Sequence, residues 1–204
     1  MTTKDMTTKL NPDKYAWGTG ALRSRRPIYM DYLPPCNEAC PAGEDIQAWL
    51  DLAQAGKYQA AWQKLIENNP FPAIHGRVCY HPCETACNRT QTDKEVSIHA
   101  VERFLGDMAM KQGWKPEFKP PADGKRVLIV GGGPSGLSAA YHLIRLGHEV
   151  EIYEAGPVMG GMIHFGIPAY RMPRAELRQE IQRVEDMGAR FHLNRRVENI
   201  QAEM

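Results

Sequence analysis

Residues 126–154 read RVLIVGGGPSGLSAAYHLIRLGHEVEIYE, and this stretch decides the fold of the second half of the chain. Arg126 to Val130 is a short apolar run suited to a buried parallel strand. Pro134 to Leu146 has helical periodicity and is ended by Gly147, and Glu149 to Tyr153 supplies a second strand. The order strand, helix, strand predicts a βαβ unit. Gly131, Gly133 and Gly136 fall at G-x-G-x-x-G spacing directly after the first strand and open the helix, the context that makes this pattern specific. The first glycine permits a tight turn, the second lets a pyrophosphate approach the backbone, and the third lets helix and strand pack closely. Pro134 and Ser135 lie at the helix N-terminus, where unpaired amides and a partial positive charge favour an anion. Glu154 ends the second strand at the distance where a carboxylate accepts hydrogen bonds from a ribose. The stretch therefore predicts a Rossmann-type site for an ADP-containing cofactor, against the plain alternative of a glycine-rich turn with no ligand.

Downstream, Pro173 stands where a helix can start, and Leu177, Ile181 and Val184 give that helix a buried face. Gly188 ends it, and Ala189 to Leu193 offers a third strand. Upstream, the segment from Gly113 to Gly124, GWKPEFKPPADG, holds three prolines and two glycines without helical or strand period and reads as a linker. The pattern before it is helical. Ile46, Trp49, Leu50 and Ala53 share one face, and Tyr58, Ala61, Trp62, Leu65 and Ile66 repeat the signal until Asn68-Asn69-Pro70 breaks it. Ile98, Val101, Leu105, Met108 and Ala109 mark a third amphipathic helix. No strand is visible in this half, and no internal repeat occurs at a fixed period.

The five cysteines, Cys36, Cys40, Cys79, Cys83 and Cys87, all precede residue 90 in two close groups. Their odd number and tight spacing favour metal ligation over disulfides. Thiolates so spaced can converge on iron–sulfur clusters, and in two-cluster ferredoxins the cysteine before a proline, as Cys40 precedes Pro41, serves the cluster of the other group. Zinc is the competing metal, with His75, His81 or His99 completing a tetrahedral site.

Composition narrows the classes further. Lys and Arg number 25 against 24 Asp and Glu in 204 residues, so no global field points to nucleic acid or an anionic membrane. Met1 to Leu10 is polar, and nothing approaches the ~20 apolar residues of a membrane span, which makes the cytoplasm the default location without membrane insertion. Trp17, Trp49, Trp62 and Trp114 read as core or docking residues, and Met159, Met162 and Met172 as packing. Arg23, Arg25 and Arg26 form a short basic run, read as solvated, with docking of a partner subunit or an acidic cofactor tail as the alternative. No nucleophile and base pair is legible.

The run GGGPSGLSAAYHLIRLGHEVEIYEA, followed by Gly160-Gly161 and then FGIPAYRMPR, resembles the FAD-binding segment of the small subunit of NADPH-dependent glutamate synthase, and dihydropyrimidine dehydrogenase is similar. CNEACPAGEDIQAWL and NPFPAIHGRVCYHPCETACNR resemble the helical two-cluster domain that precedes the FAD domain in that family. The resemblance covers the chain from about residue 30 and implies an α plus α/β protein: an extension over 1–29, a helical two-cluster ferredoxin-like iron–sulfur domain over 30–112, the linker 113–124, and an incomplete Rossmann-type FAD-binding domain over 125–204. Gly131, Gly133, Gly136 and Glu154 would hold the FAD diphosphate and ribose. The segment from Gly160 and Gly161 through Ile167 to Arg171 would run past the flavin, against the bland reading of Gly160-Gly161 as an ordinary turn.

By the same resemblance Cys40, Cys79 and Cys83 hold one 4Fe–4S cluster with a non-cysteine ligand from the later helix, while Cys36 and Cys87 belong to another. Glu102 is the candidate for that ligand. At about 100° per residue it shares an arc with Ile98, Leu105 and Ala109, so a carboxylate projects from an apolar stripe, where burial unpaired is costly. The competing reading puts it at the stripe's edge, in water or against Arg103 or Arg77. The family's further C-x-x-C falls here on Ile28 and Asp31; Asp31 could ligate iron and isoleucine could not, so the resemblance implies one cluster or two.

The function implied is an electron-transfer flavoprotein module, an oxidoreductase part passing electrons between NAD(P)H-reduced FAD and 4Fe–4S clusters. The NAD(P)H site is expected beyond Met204, in the remainder of a longer chain or in another subunit that also accepts the electrons. A scaffold with structural cofactors and a zinc module fused to an NAD-binding domain are the rival readings.

Overall fold

The computed structural model describes the backbone of residues 3–5 and 28–30 and the full residues 32–118 and 124–203. Asp31, Trp17, Arg23, Arg25, Arg26 and the linker residues 119–123 lie outside the described residues. The chain forms two compact units, 1–34 and 35–204. The first contains strands β1 (Thr3–Asp5) and β2 (Ile28–Met30), antiparallel with Thr3 opposite Met30. The expectation that the first half lacks strands is therefore corrected. Three residues are too few for a period of two to show against its surroundings.

The second unit opens with helices α1 (Pro35–Ala39), α2 (Ile46–Gln54), α3 (Tyr58–Leu65), α4 (Pro72–Val78) and α5 (Pro82–Thr85), a 3-10 turn at Asn88–Gln91, and the long α6 (Ile98–Gln112). Asp45 caps α2 by accepting from the Ala48 amide, and Gly113, in the left-handed conformation, closes α6. The predicted apolar faces are largely the buried ones: Ile46, Trp49, Ala61, Trp62, Leu65, Ile66, Ile98, Leu105 and Ala109 are all but sealed from solvent, whereas Tyr58, in the first turn of α3, is exposed and meets Phe104 edge to face. Helices α4 and α6 touch through their glycines. A Cβ at Gly76 would stand 2.5 Å from the Arg103 nitrogen, and one at Gly106 would stand 2.4 Å from the Ala73 nitrogen, so only glycine permits this approach.

The remainder is a three-stranded parallel sheet with helices packed on it. Strand β3 (Arg126–Val130) pairs with β4 (Glu149–Tyr153) in the register Arg126 to Glu149, and β4 pairs with β5 (Arg190–His192), Tyr153 opposite His192. Helix α7 (Pro134–Arg145) links β3 to β4, and α8 (Gly161–Phe165) and α9 (Arg174–Asp186) lie between β4 and β5, followed by α10 (Ile200–Glu203). Met159 and Met172 are core, as expected. Met162 is not: it is 70% exposed, because the short α8 turns only Ile163 inward.

The helical part and the sheet part are joined by hydrogen bonds to the segment between α3 and α4. Tyr141 donates its hydroxyl to the Ile66 carbonyl at 2.6 Å, Arg145 donates to the Glu67 carbonyl, and Arg183 donates to the Pro70 carbonyl. Arg183 also lies over the Trp62 ring at 5.5 Å. These contacts satisfy carbonyls that the break at Asn68-Asn69-Pro70 removes from helical pairing.

Candidate cofactor sites

At the glycine turn, Gly131 adopts φ +104° and its amide donates to the Tyr153 carbonyl at 2.8 Å, so the turn is anchored on β4. A Cβ at Gly136 would stand 2.0 Å from the Gly131 carbonyl oxygen; the third glycine is demanded by the protein's own packing. Gly133 is different. A Cβ there would meet nothing closer than the Gly161 Cα at 3.9 Å, so its lack of a side chain is left for a ligand to use. Gly133 caps α7 without a side-chain hydrogen bond, and Pro134 and Ser135 at the first turn are exposed.

Glu154 follows β4, as expected, but its carboxylate also braces the turn. Oε2 accepts from the Gly132 amide and Oε1 from the Gly156 amide, each at 2.7 Å. Lone pairs remain on both oxygens for a ribose. Gly132 escaped the motif reading, although a run of three glycines was its signal: a Cβ there would collide with the Met159 sulfur at 2.1 Å.

Gly160-Gly161 is more than an ordinary turn. Both have positive φ, the Gly160 amide donates to the Gly132 carbonyl at 2.8 Å, and a Cβ on Gly161 would lie 2.8 Å from the Gly133 Cα. From there the chain passes through α8 to Ile167, which is half-buried against the core and whose carbonyl accepts from Arg174 at 2.6 Å. It ends at Arg171, exposed beside a cleft of about 530 Å³ lined by Gly76, Arg77, His81, His99, Arg103 and Tyr170. One segment thus starts on the glycine turn and ends at a cleft shared with Gly76 and Arg77 of α4, His81, and His99 and Arg103 of α6.

All five cysteines are free thiols. Cys36 lies in α1, Cys40 just after it, Cys79 at the end of α4, Cys83 in α5 and Cys87 just beyond, and α1 packs on α5. The electrostatics divide them. Burial pushes the Cys83 thiol up to about 12, with the charges of Cys40, Glu84 and Cys79 adding to it. Burial likewise raises Cys40 and Cys79, and both feel Glu44 and Glu102. Cys36 is raised by burial and feels Cys87. A cation among crowded thiolates reverses such shifts. The His81 amide donates to the Cys79 sulfur at 3.2 Å, from a left-handed backbone at φ 43°.

Glu102 is only 6% exposed, which removes the reading that it sits at the stripe's edge in water. Its expected arginine partners are engaged elsewhere: Arg77 makes a two-pronged pair with Asp107 at 2.6 and 2.9 Å, and Arg103 lies 3.5 Å from the same residue. Glu102 Oε1 instead accepts from Asn69 at 2.6 Å, and the same amide donates to Glu44 at 2.9 Å. Burial first, then the charge of Glu44, raises Glu102 to about 9; burial raises Glu44 to about 7. Glu44 and Asn69 were not legible as site residues, since Asn69 served in the sequence only as a helix breaker.

The histidines proposed for zinc point elsewhere. His75 Nδ1 lies 2.7 Å from Asn69 Oδ1, while His81 and His99 stack at 4.1 Å and both address Glu84, at 3.2 and 2.8 Å. Tetrahedral zinc with Zn–S bonds of about 2.3 Å would draw sulfurs to within about 4 Å of each other. Among the described residues only His81, Glu84 and His99 gather three ligand atoms within 4.8 Å, and no trio of cysteines does. Asp31, the remaining metal candidate, lies outside the described residues.

Comparison with known proteins agrees with this division. Residues 24–114 match the family described as dihydropyrimidine dehydrogenase domain II, 4Fe–4S cluster, and residues 129–195 match the NAD(P)-binding Rossmann-like domain. The chain is 36% identical, over 88% of its length, to the NADP(+)-dependent formate dehydrogenase subunit beta of Moorella thermoacetica, of which the match covers 29%. It is 40% identical over 77% of its length to the NADPH-Fe(3+) oxidoreductase subunit beta of Geobacter sulfurreducens, covering 24% of that protein. It is 35% identical over 84% of its length to the glutamate synthase [NADPH] small chain of Mycobacterium tuberculosis, covering 36%. The chain thus spans between about a quarter and just over a third of the length of these curated relatives. An iron–sulfur domain joined to a Rossmann-like nucleotide-binding domain is therefore the architecture, and the zinc-module alternative gives way to it. Among the described residues no helix is long and apolar enough to cross a membrane.

Proposed function

We propose that this chain, which belongs with the glutamate synthase small chains and their oxidoreductase relatives, is the electron-transfer module of a cytoplasmic NAD(P)H-dependent flavin and iron–sulfur oxidoreductase. In this reading residues 30–112 form the cluster domain and 125–204 the beginning of the FAD domain. The observation that carries it is the course of Gly160 to Arg171, one segment built into the glycine turn at one end and, at the other, lining a cleft together with His81, which lies between Cys79 and Cys83 in the chain. When bound, a flavin accepts an electron pair and releases electrons singly to clusters, which handle one at a time.

The residues present fit both groups. Gly133, Ser135 and Gly136 offer backbone to a diphosphate at the N-terminus of α7, on the turn that Gly131 anchors to β4, and Glu154 offers its free lone pairs to a ribose. Cys40, Cys79 and Cys83, the last of which feels the charges of the other two, would hold one 4Fe–4S cluster with Glu102 as the fourth ligand. Cys36 and Cys87 would serve a second cluster, completed by Asp31 or by a partner. The amide of His81, donating to the Cys79 sulfur, favours the added electron. Another subunit or domain would complete the FAD and NAD(P)H sites and take the electrons, as the subunit beta and small chain names of the relatives suggest.

The test is anaerobic purification of the complete oxidoreductase with iron, sulfide, zinc and flavin analysis, followed by titration with NADPH. About four or eight irons per chain with matching sulfide, and a flavin bleached by NADPH before the clusters are reduced, are expected. Zinc without iron would overturn the cluster reading. Cofactors that no pyridine nucleotide reduces would make the chain a scaffold.

A further inference from the structure

Asn69 is completely buried in the break between α3 and α4, and its amide is held from every side. Oδ1 accepts from the Phe71 amide at 3.0 Å and lies 2.7 Å from His75 Nδ1. A backbone N–H can only donate, so Oδ1 must face Phe71 and the amide cannot be turned over. Its NH₂ group is thereby directed at two carboxylates, with one hydrogen for Glu44 Oε1 at 2.9 Å and one for Glu102 Oε1 at 2.6 Å. Glu44 is anchored in turn by the Trp49 indole, which donates to its Oε2 at 3.2 Å. The chain Trp49, Glu44, Asn69, Glu102 runs from α2 through the break to α6.

Glu102 has a long side chain that, left alone, would reach for water or for the arginines near it. Asn69 takes one of its oxygens. Among the described residues Oε2 receives no hydrogen bond, so it is the oxygen left for a metal ion. The geometry points to Asn69 as the positioning residue that turns Glu102 toward the cluster held by Cys40, Cys79 and Cys83. The inference rests on the iron–sulfur reading above. Partners of metal-ligating carboxylates fix ligand orientation in this way, and their loss weakens metal retention.

Asn69→Asp and Asn69→Ala together test it. Asn69→Asp keeps an acceptor for Phe71 and His75 but replaces the NH₂ donor with a third carboxyl beside Glu44 and Glu102, so the hold on both is lost and repulsion is added; Asn69→Ala removes the same donor without adding charge. In the complete oxidoreductase, purified anaerobically, Asn69→Asp should release iron to a chelator on the order of 10–100-fold faster than the parent. It should also alter the paramagnetic resonance signal and midpoint potential of one cluster, with flavin content unchanged. Asn69→Ala should act in the same direction. Parental iron release, signals and potentials in Asn69→Asp would overturn the inference, as would loss of flavin and all iron together in both variants, the mark of a mere packing residue. If the parent itself carries no iron, the underlying reading fails instead.

Discussion

Glu180 of α9 accepts a hydrogen bond at 2.9 Å from the backbone amide of Ala73, in the first turn of α4 and 107 residues earlier in the chain. Glu180 is 1% exposed, and its other oxygen pairs with Arg183. Because α4 begins at Pro72, the Ala73 amide is one of the donors a helix leaves unpaired at its start, and a carboxylate there also complements the helix dipole. A side chain of the nucleotide-binding part thus caps the helix that ends at Cys79. Glu180→Ala leaves the amide without its acceptor and the Arg183 charge without its counter-ion, though Arg183 keeps the Pro70 carbonyl and the Trp62 ring. The expected cost is about 1–3 kcal/mol, read from urea denaturation of the parent and the variant.

The same residue gives a pH dependence. Burial, opposed by Arg183 and by the Ala73 amide, holds the Glu180 carboxyl above the ordinary carboxylate range. A raised acid binds its proton more tightly when folded, so its contribution is complete below the unfolded value of about 4.3 and is lost as pH rises through the folded value. Glu44 and Glu102 are raised too, and their slopes have the same sign. Glu180→Gln should flatten the fall of the urea midpoint with rising pH without abolishing it. An unchanged slope would show that Glu180 is ionised throughout.

The glycines of the turn should separate folding from binding. Gly136→Ala forces a Cβ against the Gly131 carbonyl, where only 2.0 Å is available. It should cost about 1–3 kcal/mol as well as the cofactor. Gly133→Ala meets only the Gly161 Cα at 3.9 Å. It should leave stability within about 0.5 kcal/mol of the parent while flavin occupancy falls. Thermal melting and flavin content of the two variants decide the matter, and equal destabilisation would show that Gly133 serves packing as well.

Cys79→Ser removes a thiolate from the trio with Cys40 and Cys83 and should abolish one cluster while flavin still binds. Cys87→Ser should affect the other. Iron content, absorbance and paramagnetic resonance read the outcome, and unchanged iron in Cys79→Ser would overturn the ligand assignment.

The sequence by itself determined the local features whose physics is local. Glycines at Gly131, Gly133 and Gly136 after an apolar run can be read because the turn, the strand and the helix N-terminus are built from adjacent residues. Amphipathic periods marked α2, α3 and α6 for the same reason, and the spacing of the cysteines announced metal. What only the tertiary structure decided was the meeting of residues far apart in the chain. Glu102 looked like a lone carboxylate on an apolar stripe until α6 folded against the break at Asn69 and that amide closed on it. Glu154 ended a strand, as expected, but only the fold placed it on the amides of Gly132 and Gly156. Glu180 belonged to the polar remainder of an amphipathic helix, and nothing near it in sequence foretold Ala73. Such pairings satisfy buried donors and charges, and that requirement exists only once the chain has excluded water from them.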